Sequence, residues 1–286
     1  MDLDPLEYET NATDAYEPAI KLIKSIENHL IDLSTKNPLQ SSRIIFDLGC
    51  GPGNTTKMLA DKFPNALVIG LDFDEKMIEY AKQRKISNAF FFVQNLEEPF
   101  ESWPNELKNH QDCVDVIFSN YSLHWIDDFE ILSRNIGLLL RKNSGYFVGN
   151  LLYCGWLQDV ADPEEKNLLN KYLDYPSEAD FVSRFVFAMK KNCQSNWMNI
   201  EYQEPISRYD KEYYSKSFIK LPLDWYKKFL RNQTKNFATN QIEDLERIIV
   251  RLILKQRIIN EIPEDFNNNL IDIKQQLWII QIKRNS

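Results

Sequence analysis

The sequence has few of the residues that mark disulfide-bonded, metal-binding or membrane-embedded proteins. Its four cysteines, Cys50, Cys113, Cys154 and Cys193, are widely spaced and form neither a C-x-x-C pair nor a zinc-ligand pattern. We therefore expect reduced thiols and no metal centre. No apolar stretch approaches the length of a membrane span. The first residues lack the basic and apolar regions of a secretory signal, so we expect a cytoplasmic protein.

Positive charge is also scarce. The chain has 34 Lys and Arg against 42 Asp and Glu, a net charge of −8, and it contains no basic run. Because nucleic-acid-binding proteins neutralise phosphates with clustered Lys and Arg, we expect no nucleic-acid partner. The hydrophobic content of 43% is enough for a sizeable core. The 286 residues therefore predict one large domain, or a domain with a substantial insertion.

Short apolar runs alternate with helical patterns between residues 43 and 152. The runs are nearly continuous, as expected of strands that are buried on both faces. Repeated β-α units predict an α/β fold with a parallel, doubly wound sheet and helices on both sides. The predicted strands are Arg43–Leu48, Ala66–Leu71, Ala89–Gln94, Val114–Ser119 and Tyr146–Leu152, and the predicted helices are 16–33, Asn54–Phe63, Asp74–Arg84 and Phe129–Arg141.

The regular alternation ends near Gly155. We assign residues 1–155 to a ligand-binding core, residues 156–270 to a helical insertion with one core strand, and residues 271–286 to a final strand. Ligands of open α/β sheets bind at the carboxyl ends of the strands, so this insertion is expected to be a lid that selects the substrate. Its candidate elements are helices Pro163–Tyr172, Glu178–Lys191, Leu223–Arg231 and Ile242–Arg257 and a strand within Met198–Ser207.

Residues 44–54 form the most informative segment. An apolar run ends in Asp47, and Gly49, Gly51 and Gly53 follow at alternate positions. A turn of this kind lets a ligand lie directly against backbone. The spacing differs from that of a dinucleotide-binding loop, and the Gly-Lys-Ser/Thr ending of a P-loop is absent. An acidic residue in place of phosphate-binding groups favours S-adenosylmethionine, which has an amino group and no phosphate. A tight turn that only joins two elements is the alternative.

Polar residues follow the second and third predicted strands. Asp72 lies about twenty residues beyond the glycine loop, where its two oxygens can accept from both hydroxyls of a ribose. The amide of Asn95 or the backbone of Leu96 can bind an adenine edge, although an Asn in a loop is often only a turn former. The residues that we assign to the cofactor, including one from the fourth strand, are Asp47, Gly49, Cys50, Gly51, Gly53, Asp72, Phe73, Asn95, Leu96 and Ser119.

Several polar residues also lie at the end of the fourth predicted strand. Ser119 and Asn120 are placed to meet the methionine part of the cofactor. His124 and Trp125 would then face the substrate. The alternatives are a structural histidine and a tryptophan that only packs in the core.

Four of these segments together resemble the class I S-adenosylmethionine-dependent methyltransferases. They are Asp47–Gly53, Gly70–Asp72, Met77–Ile78 and Asn120–Trp125. The last is most similar to the juvenile hormone acid O-methyltransferases, and the trans-aconitate and malonyl-carrier carboxyl methyltransferases share much of the pattern. The resemblance covers residues 40–150. It implies a seven-stranded, Rossmann-like sheet, S-adenosyl-L-methionine as cofactor, and a small lipophilic carboxylic acid as substrate, such as juvenile hormone acid or farnesoic acid.

Two positions depart from the insect enzymes. Those enzymes usually carry a Gln three residues before an Asp-Ala near the N-terminus, which is proposed to position the substrate acid. Here the shorter amide of Asn11 precedes Asp14–Ala15. Their third strand commonly ends in Asp, where this chain has Asn95. The resemblance implies that Trp125 walls the acceptor pocket, and that His124 or Asn11 hydrogen-bonds the carboxylate.

The chemistry of the acceptor leaves alternatives open. A carboxylate is already ionised at neutral pH, so its methylation needs positioning rather than a strong general base. Positioning alone can supply about 7–11 kcal/mol. Methylation of a nitrogen or hydroxyl of another small molecule is a second possibility, with His124 as the base. A non-catalytic protein of the same fold that binds a partner is a third, which loss of the glycine loop or of the ribose carboxylate would favour.

Overall fold

The computed structural model describes residues 4–11, 15–36, 42–153, 161–172, 176–203, 206–210, 243–245, 247–252, 270–274 and 276–285. The chain divides into two compact units. The larger contains residues 2–152, 182–203 and 277–286, and the smaller contains residues 153–181 and 204–276. Among the described helices, none combines the length and the apolar character that crossing a membrane requires.

The larger unit is built on a seven-stranded sheet. The described strands are β1 (Arg43–Leu48), β2 (Ala66–Asp72), β3 (Ala89–Val93), β4 (Val116–Ser119), β5 (Tyr146–Tyr153), β6 (Trp197–Gln203), β7 (Ile206–Asp210), β8 (Leu270–Lys274) and β9 (Gln276–Lys283). The sheet has the order β3-β2-β1-β4-β5-β9-β6, and β7 and β8 form a separate two-stranded sheet. The first five strands pair in parallel, whereas β6 pairs with β9 in antiparallel fashion. The predicted doubly wound, mostly parallel seven-stranded fold is confirmed.

The strand order reverses direction between β1 and β4. Asp47 of β1 lies opposite Gly70 of β2 on one side and Phe118 of β4 on the other. In open α/β sheets, ligands bind at such a switch point, outside the carboxyl ends of the strands. The topology therefore places the glycine loop after β1 in the middle of the expected ligand-binding edge.

Helices connect the parallel strands. They are α1 (Pro5–Asn11), α2 (Tyr16–Lys36), α3 (Asn54–Lys62), α4 (Glu75–Lys82), α5 (Asn105–Lys108), α6 (Phe129–Leu139), α7 (Pro163–Tyr172) and α8 (Glu178–Asn192), with 3-10 turns at Phe100–Ser102 and Leu123–Trp125. Asp74 caps α4 by accepting from the Lys76 amide at 2.9 Å, and Asp128 caps α6 by accepting from the Ile131 amide at 2.9 Å. Aspartates at these positions satisfy amides that the helix itself leaves unpaired.

One face of the sheet is covered by α2, α3 and α4. Helix α2 buries Ala19, Leu22 and Ile26 in a cluster that includes residues of β1, β4 and β5. The sequence alone predicts a buried stripe of Ile20, Ile23, Ile26 and Leu30 on this helix, and its first member is wrong because Ile20 is 58% exposed. The buried stripe begins one residue earlier, since residues 19, 22, 23, 26 and 30 follow the 3.6-residue period more closely.

The other face of the sheet packs against aromatic residues. The Phe185 ring of α8 lies 5.2 Å from the Phe129 ring of α6 and 6.1 Å from the Phe147 ring of β5. Phe46 on β1 points to this face and meets the His110 ring at 5.6 Å. Side chains of a strand alternate between faces, so both faces of these strands are buried, as their continuous apolar runs predict.

A buried ion cluster lies at the amino ends of the central strands. Asp115 immediately precedes β4 and is fully buried. Its Oδ1 accepts from Arg43 Nη1 at 3.3 Å and from Arg141 Nε at 3.1 Å, and its Oδ2 accepts from the Ile44 amide at 2.9 Å. The predicted fourth strand began at Val114, which instead makes an isolated bridge to Leu140. These bonds connect β1, β4 and the residues after α6 at the amino ends of the strands, opposite the glycine loop.

The smaller unit contains α7, the start of α8, and the β7–β8 sheet. Asp162 and Glu165 form a reciprocal capping box at the start of α7, with bonds of 2.8 and 2.9 Å. The Glu165 carboxylate also pairs with Arg251 at 2.6 Å, within the described helical residues 247–252. The predicted strand within Met198–Ser207 is two strands, β6 and β7. The predicted helix Leu223–Arg231 lies outside the described residues, and the lid function of the insertion stays a prediction.

Candidate functional site

The glycine loop has a backbone that side-chain-bearing residues rarely adopt. Gly49, Gly51 and Gly53 have φ angles of +70°, +52° and +84°. A Cβ on Gly49 would lie 1.7 Å from the Ser122 Oγ, so that position excludes any side chain. A Cβ on Gly51 would meet only Tyr8, at 3.9 Å, so the loop presents open backbone there. The three glycines thus allow close approach from a ligand and from residues 120–126, which follow β4 and are called the post-β4 segment.

The loop is fixed by hydrogen bonds to the end of β2. The Gly49 and Cys50 amides both donate to the Leu71 carbonyl, at 2.8 and 2.9 Å. The Gly51 amide donates to Asp72 Oδ2 at 2.8 Å. Cys50 itself is buried, and burial raises the pKa of its thiol well above the ordinary value. Cys50 therefore contributes backbone and packing rather than a reactive thiolate.

Asp72 links the glycine loop to the start of α4. Besides the Gly51 amide, it binds the Asp74 amide through Oδ1 at 2.9 Å. Burial is the main factor that raises its pKa, whereas hydrogen bonds from the Asp74, Gly51 and Phe73 amides lower it. A carboxylate oxygen accepts two hydrogen bonds, so Asp72 retains capacity for a ribose hydroxyl. Phe73 follows with 55% of its surface exposed, beside the predicted ribose position.

Asp47 is a fully buried carboxyl group with no basic neighbour among its hydrogen-bond partners. Its Oδ2 accepts from the hydroxyls of Thr55 at 3.0 Å and Thr56 at 2.6 Å. Its Oδ1 has no partner among the described residues. Burial raises its pKa to about 7, the two hydroxyls lower it, and the charge of Asp72 raises it. A cationic ligand would offset the cost of burying the ionised carboxylate. The site therefore fits the amino group of S-adenosylmethionine and does not fit a phosphate.

The end of β3 also reaches this edge of the sheet. The Gln94 amide donates to the Asp72 carbonyl at 2.7 Å. Asn95 is exposed, and its Oδ1 accepts from the Glu97 amide at 3.0 Å in an Asx turn. Leu96 is buried, and its carbonyl accepts from Asn135 Nδ2 at 3.0 Å. The two predicted adenine contacts therefore stand next to Asp72 on one continuous turn, and their role stays a prediction.

The post-β4 segment brings together the predicted acceptor residues. His124 is 5% exposed and Trp125 is half-buried on the 3-10 turn, with ring centroids 5.4 Å apart. Ser119 is fully buried, and its hydroxyl donates to the Leu48 carbonyl at 2.8 Å, so it ties β4 to β1. Asn11 is the last residue of α1, and its side chain is outside the part of the chain that the structure describes.

Two features of the site went unpredicted from the sequence. The helix after the glycine loop begins at Asn54 with Gly53 as its N-cap, so the Asn54 side chain does not cap it. Asn54 instead binds Arg84, whose Nε donates to the Pro52 carbonyl at 2.6 Å and whose Nη2 pairs with Glu9 of α1 at 2.9 Å. Arg84 thereby joins α1 to the glycine loop. Nothing in the local pattern marks an Arg at the end of a polar helix for this role.

Asn150 is the other unpredicted feature. It lies inside the apolar strand β5, is fully buried, and donates to Asn120 Oδ1 at 2.6 Å. The sequence offered a signal here, since an amide within an apolar run must find partners when buried. Asn120 also donates to the Ala15 carbonyl at 3.0 Å, so both ends of its amide are bonded within the protein.

Known proteins that match this chain are methyltransferases by name. The family described as "Methyltransferase domain" matches residues 39–204. The trans-aconitate 2-methyltransferase of Methylobacterium radiotolerans is 38% identical over 109 residues, which are 38% of each chain. The malonyl-[acyl-carrier protein] O-methyltransferase of Bacillus anthracis is 28% identical over 169 residues, 56% of this chain and 58% of that protein. The matched segments thus span between 38% and 58% of these relatives.

A solved structure also aligns with this chain, at low identity. The phosphoethanolamine N-methyltransferase 2 of Haemonchus contortus, in complex with S-adenosyl-L-methionine, is 15% identical with a TM-score of 0.47. The alignment covers 91% of this chain and 53% of that one.

Proposed function

This chain belongs to the methyltransferase-domain family, and we propose that it transfers a methyl group from S-adenosylmethionine to the carboxylate of a small lipophilic acid. When bound, S-adenosylmethionine supplies a methyl group on a sulfonium that is already activated for in-line displacement. The observation that carries the proposal is the pair of buried carboxyl groups, Asp47 and Asp72, around an open glycine loop without a basic phosphate-binding side chain. Such a site matches a ligand with an amino group, ribose hydroxyls and no phosphate.

The roles of the chain's own residues follow from this arrangement. Asp47 pairs with the amino group of the cofactor, and Asp72 accepts from the ribose hydroxyls while it holds the Gly51 amide. The post-β4 segment supplies the acceptor side, where Trp125 walls the pocket and His124 orients the carboxylate. Asn11 is a second candidate for that hydrogen bond. None of these residues has to remove a proton from a carboxylate, because the acceptor is already ionised at neutral pH.

The choice of acceptor rests on the relatives' names and on the sequence pattern. One relative is named for trans-aconitate, which is a carboxylic acid, and another for O-methylation of a malonyl group. The Leu123-His124-Trp125 run resembles the juvenile hormone acid O-methyltransferases. These observations favour a carboxylate oxygen as the acceptor. A lipophilic acid, such as juvenile hormone acid or farnesoic acid, is the substrate class that we propose.

A titration followed by a transfer assay tests the proposal. We expect calorimetric binding of S-adenosylmethionine by the full chain. Radiolabelled methyl transfer is then measured on farnesoic acid, juvenile hormone acid and trans-aconitate, with farnesol and farnesoic acid amide as matched controls that lack a carboxylate. A methyl ester releases volatile methanol in alkali, so base-labile label is expected with the acids alone. Base-stable label would assign an N- or ether O-methyltransferase, and binding without any transfer would favour a non-catalytic role.

A further inference from the structure

The segment that carries the predicted acceptor residues has an unusual backbone. Tyr121 adopts a φ of +53°, the left-handed region that residues with a Cβ seldom occupy. The next residue, Ser122, packs where a Cβ on Gly49 would lie. His124 and Trp125 follow on the 3-10 turn. A short segment thus connects the glycine loop to the acceptor side, and some other group must hold it in this conformation.

Asn150 is the group that holds it. Its Oδ1 accepts from the Tyr121 amide at 2.6 Å, and its Nδ2 donates to Asn120 Oδ1 at 2.6 Å. Its neighbours in β5, Val148 and Leu151, are fully buried apolar residues. An amide in such surroundings is costly unless it is hydrogen-bonded, and both of these bonds go to the post-β4 segment.

The connection continues to the N-terminal segment. Asn120 donates through Nδ2 to the Ala15 carbonyl at 3.0 Å. The orientation of both amides is fixed by chemistry, because the Tyr121 amide can only donate and the Ala15 carbonyl can only accept. Asn150 must therefore present oxygen to Tyr121 and nitrogen to Asn120. The result is a relay of three hydrogen bonds from Tyr121 through Asn150 and Asn120 to Ala15, directly before α2.

We propose that Asn150 is a positioning residue for methyl transfer, which sets the post-β4 segment against the N-terminal segment through Asn120; this rests on the proposed function. The relay holds Tyr121, three residues before His124, on one side and Ala15, directly before α2, on the other. Asn150 acts through these neighbours and does not contact the reacting groups. Its loss is expected to leave cofactor binding largely intact and to misplace the acceptor.

Hydrogen exchange tests the relay without any substrate. N120D keeps the oxygen that Asn150 binds and replaces the donor to Ala15, so faster exchange is expected only in residues 15–20. N150L removes both amide functions, so faster exchange is expected in residues 15–20 and in residues 120–126. Each increase should be about five- to tenfold, the factor for one net hydrogen bond. Unchanged exchange in both segments of N150L would overturn the relay.

The kinetic test separates positioning from simple stability. We expect kcat with the best acid of the panel to fall about 10–100-fold in N120D and N150L, with the cofactor Kd of N150L within about twofold of wild type. N88D is the matched control, because Asn88 donates to the Ala60, Phe63 and Ala66 carbonyls, away from the post-β4 segment. It should lower the melting temperature without changing kcat or exchange in residues 120–126.

The outcomes distinguish this inference from the proposed function. Should N120D and N150L match N88D in kcat, the positioning role is wrong while the methyltransferase activity stands. Should the wild type methylate no acid of the panel, the proposed function fails and the positioning role fails with it. N120D covers the case in which N150L does not fold, since Asp has the shape of Asn.

Discussion

Two fully buried aspartates lie at opposite ends of the central strands, and their surroundings differ sharply. Asp115, at the amino end, is bonded by the side chains of Arg43 and Arg141 and by the Ile44 amide. Asp47, at the carboxyl end of β1, accepts from the hydroxyls of Thr55 and Thr56, and the described residues give it no other partner. Within the described part of the chain, the same chemical group is thus compensated by cations at one edge of the sheet and left without a cation at the other.

The difference separates a structural role from a ligand-binding role. Removing a charge from water is costly, and a buried ion is tolerated when partners satisfy it. Asp115 has such partners within the chain. Among the described residues Asp47 has two hydroxyl partners and no cation, and its pKa is raised to about 7 mainly by burial. A strongly perturbed carboxyl group beside an open backbone loop is a mark of a functional site, since a ligand can supply the missing cation.

The largest effect is expected when the compensated aspartate is changed. D115N leaves Arg43 and Arg141 without their anion, and the free energy of unfolding should fall by about 3 kcal/mol. Urea denaturation measures this loss, with D61N as the control because the Asp61–Lys57 pair is exposed and is worth under about 1 kcal/mol. The cofactor Kd of folded D115N should equal that of wild type. A loss no greater than that of D61N would contradict the structural role.

A change at the uncompensated aspartate should act on binding. D47N removes the carboxylate that we propose to pair with the amino group, and a charged hydrogen bond of this kind is worth about 1.5–3 kcal/mol. The Kd for S-adenosylmethionine should therefore rise about 10–100-fold by calorimetry, while the urea midpoint at pH 7 should not fall, because burial penalises the ionised carboxylate that D47N removes. Equal cofactor affinity in D47N and wild type would remove the reason for assigning Asp47 to the ligand.

The smallest effect is a dependence of stability on pH in the protein without ligand. The folded pKa of Asp47, about 7, lies above the ordinary aspartate pKa of 3.8. The folded protein therefore binds an extra proton between these values, so its stabilising contribution is complete at low pH and is lost as pH rises through about 7. Between about pH 6 and 7.5, unfolding free energy should fall by about 1 kcal/mol more in wild type than in D47N. Parallel curves for the two proteins would argue against the raised pKa.

Much of the cofactor side could be predicted from sequence because it depends on local geometry. The spacing of Gly49, Gly51 and Gly53 specifies a turn with positive φ angles, and all three have them. The predicted helix Asp74–Arg84 begins where α4 does, and Asp74 caps it. The apolar runs predicted the parallel strands within one or two residues, because burial on both faces leaves a direct mark on composition. The roles of the cofactor and acceptor residues stay predictions.

The links between distant segments could not be predicted in this way. Arg84 reaches Glu9 and Pro52, and Asn150 reaches Tyr121 and Asn120, across many residues of chain. No periodicity or short motif encodes which side chain meets which backbone group after the sheet is assembled. Ser119 illustrates the same limit, since its hydroxyl is directed to the backbone of β1 rather than to an open surface.

By itself, the sequence determined the order of strands and helices along the chain and the position of the glycine loop, because backbone propensity and burial patterns act over a few neighbouring residues. Only the tertiary structure decided which carboxyl group is compensated and which is not. That outcome depends on where Arg43 and Arg141 lie relative to Asp115, and on the hydroxyls that surround Asp47. Electrostatic compensation is set by distances of a few ångströms between residues far apart in the chain, which only the folded sheet establishes.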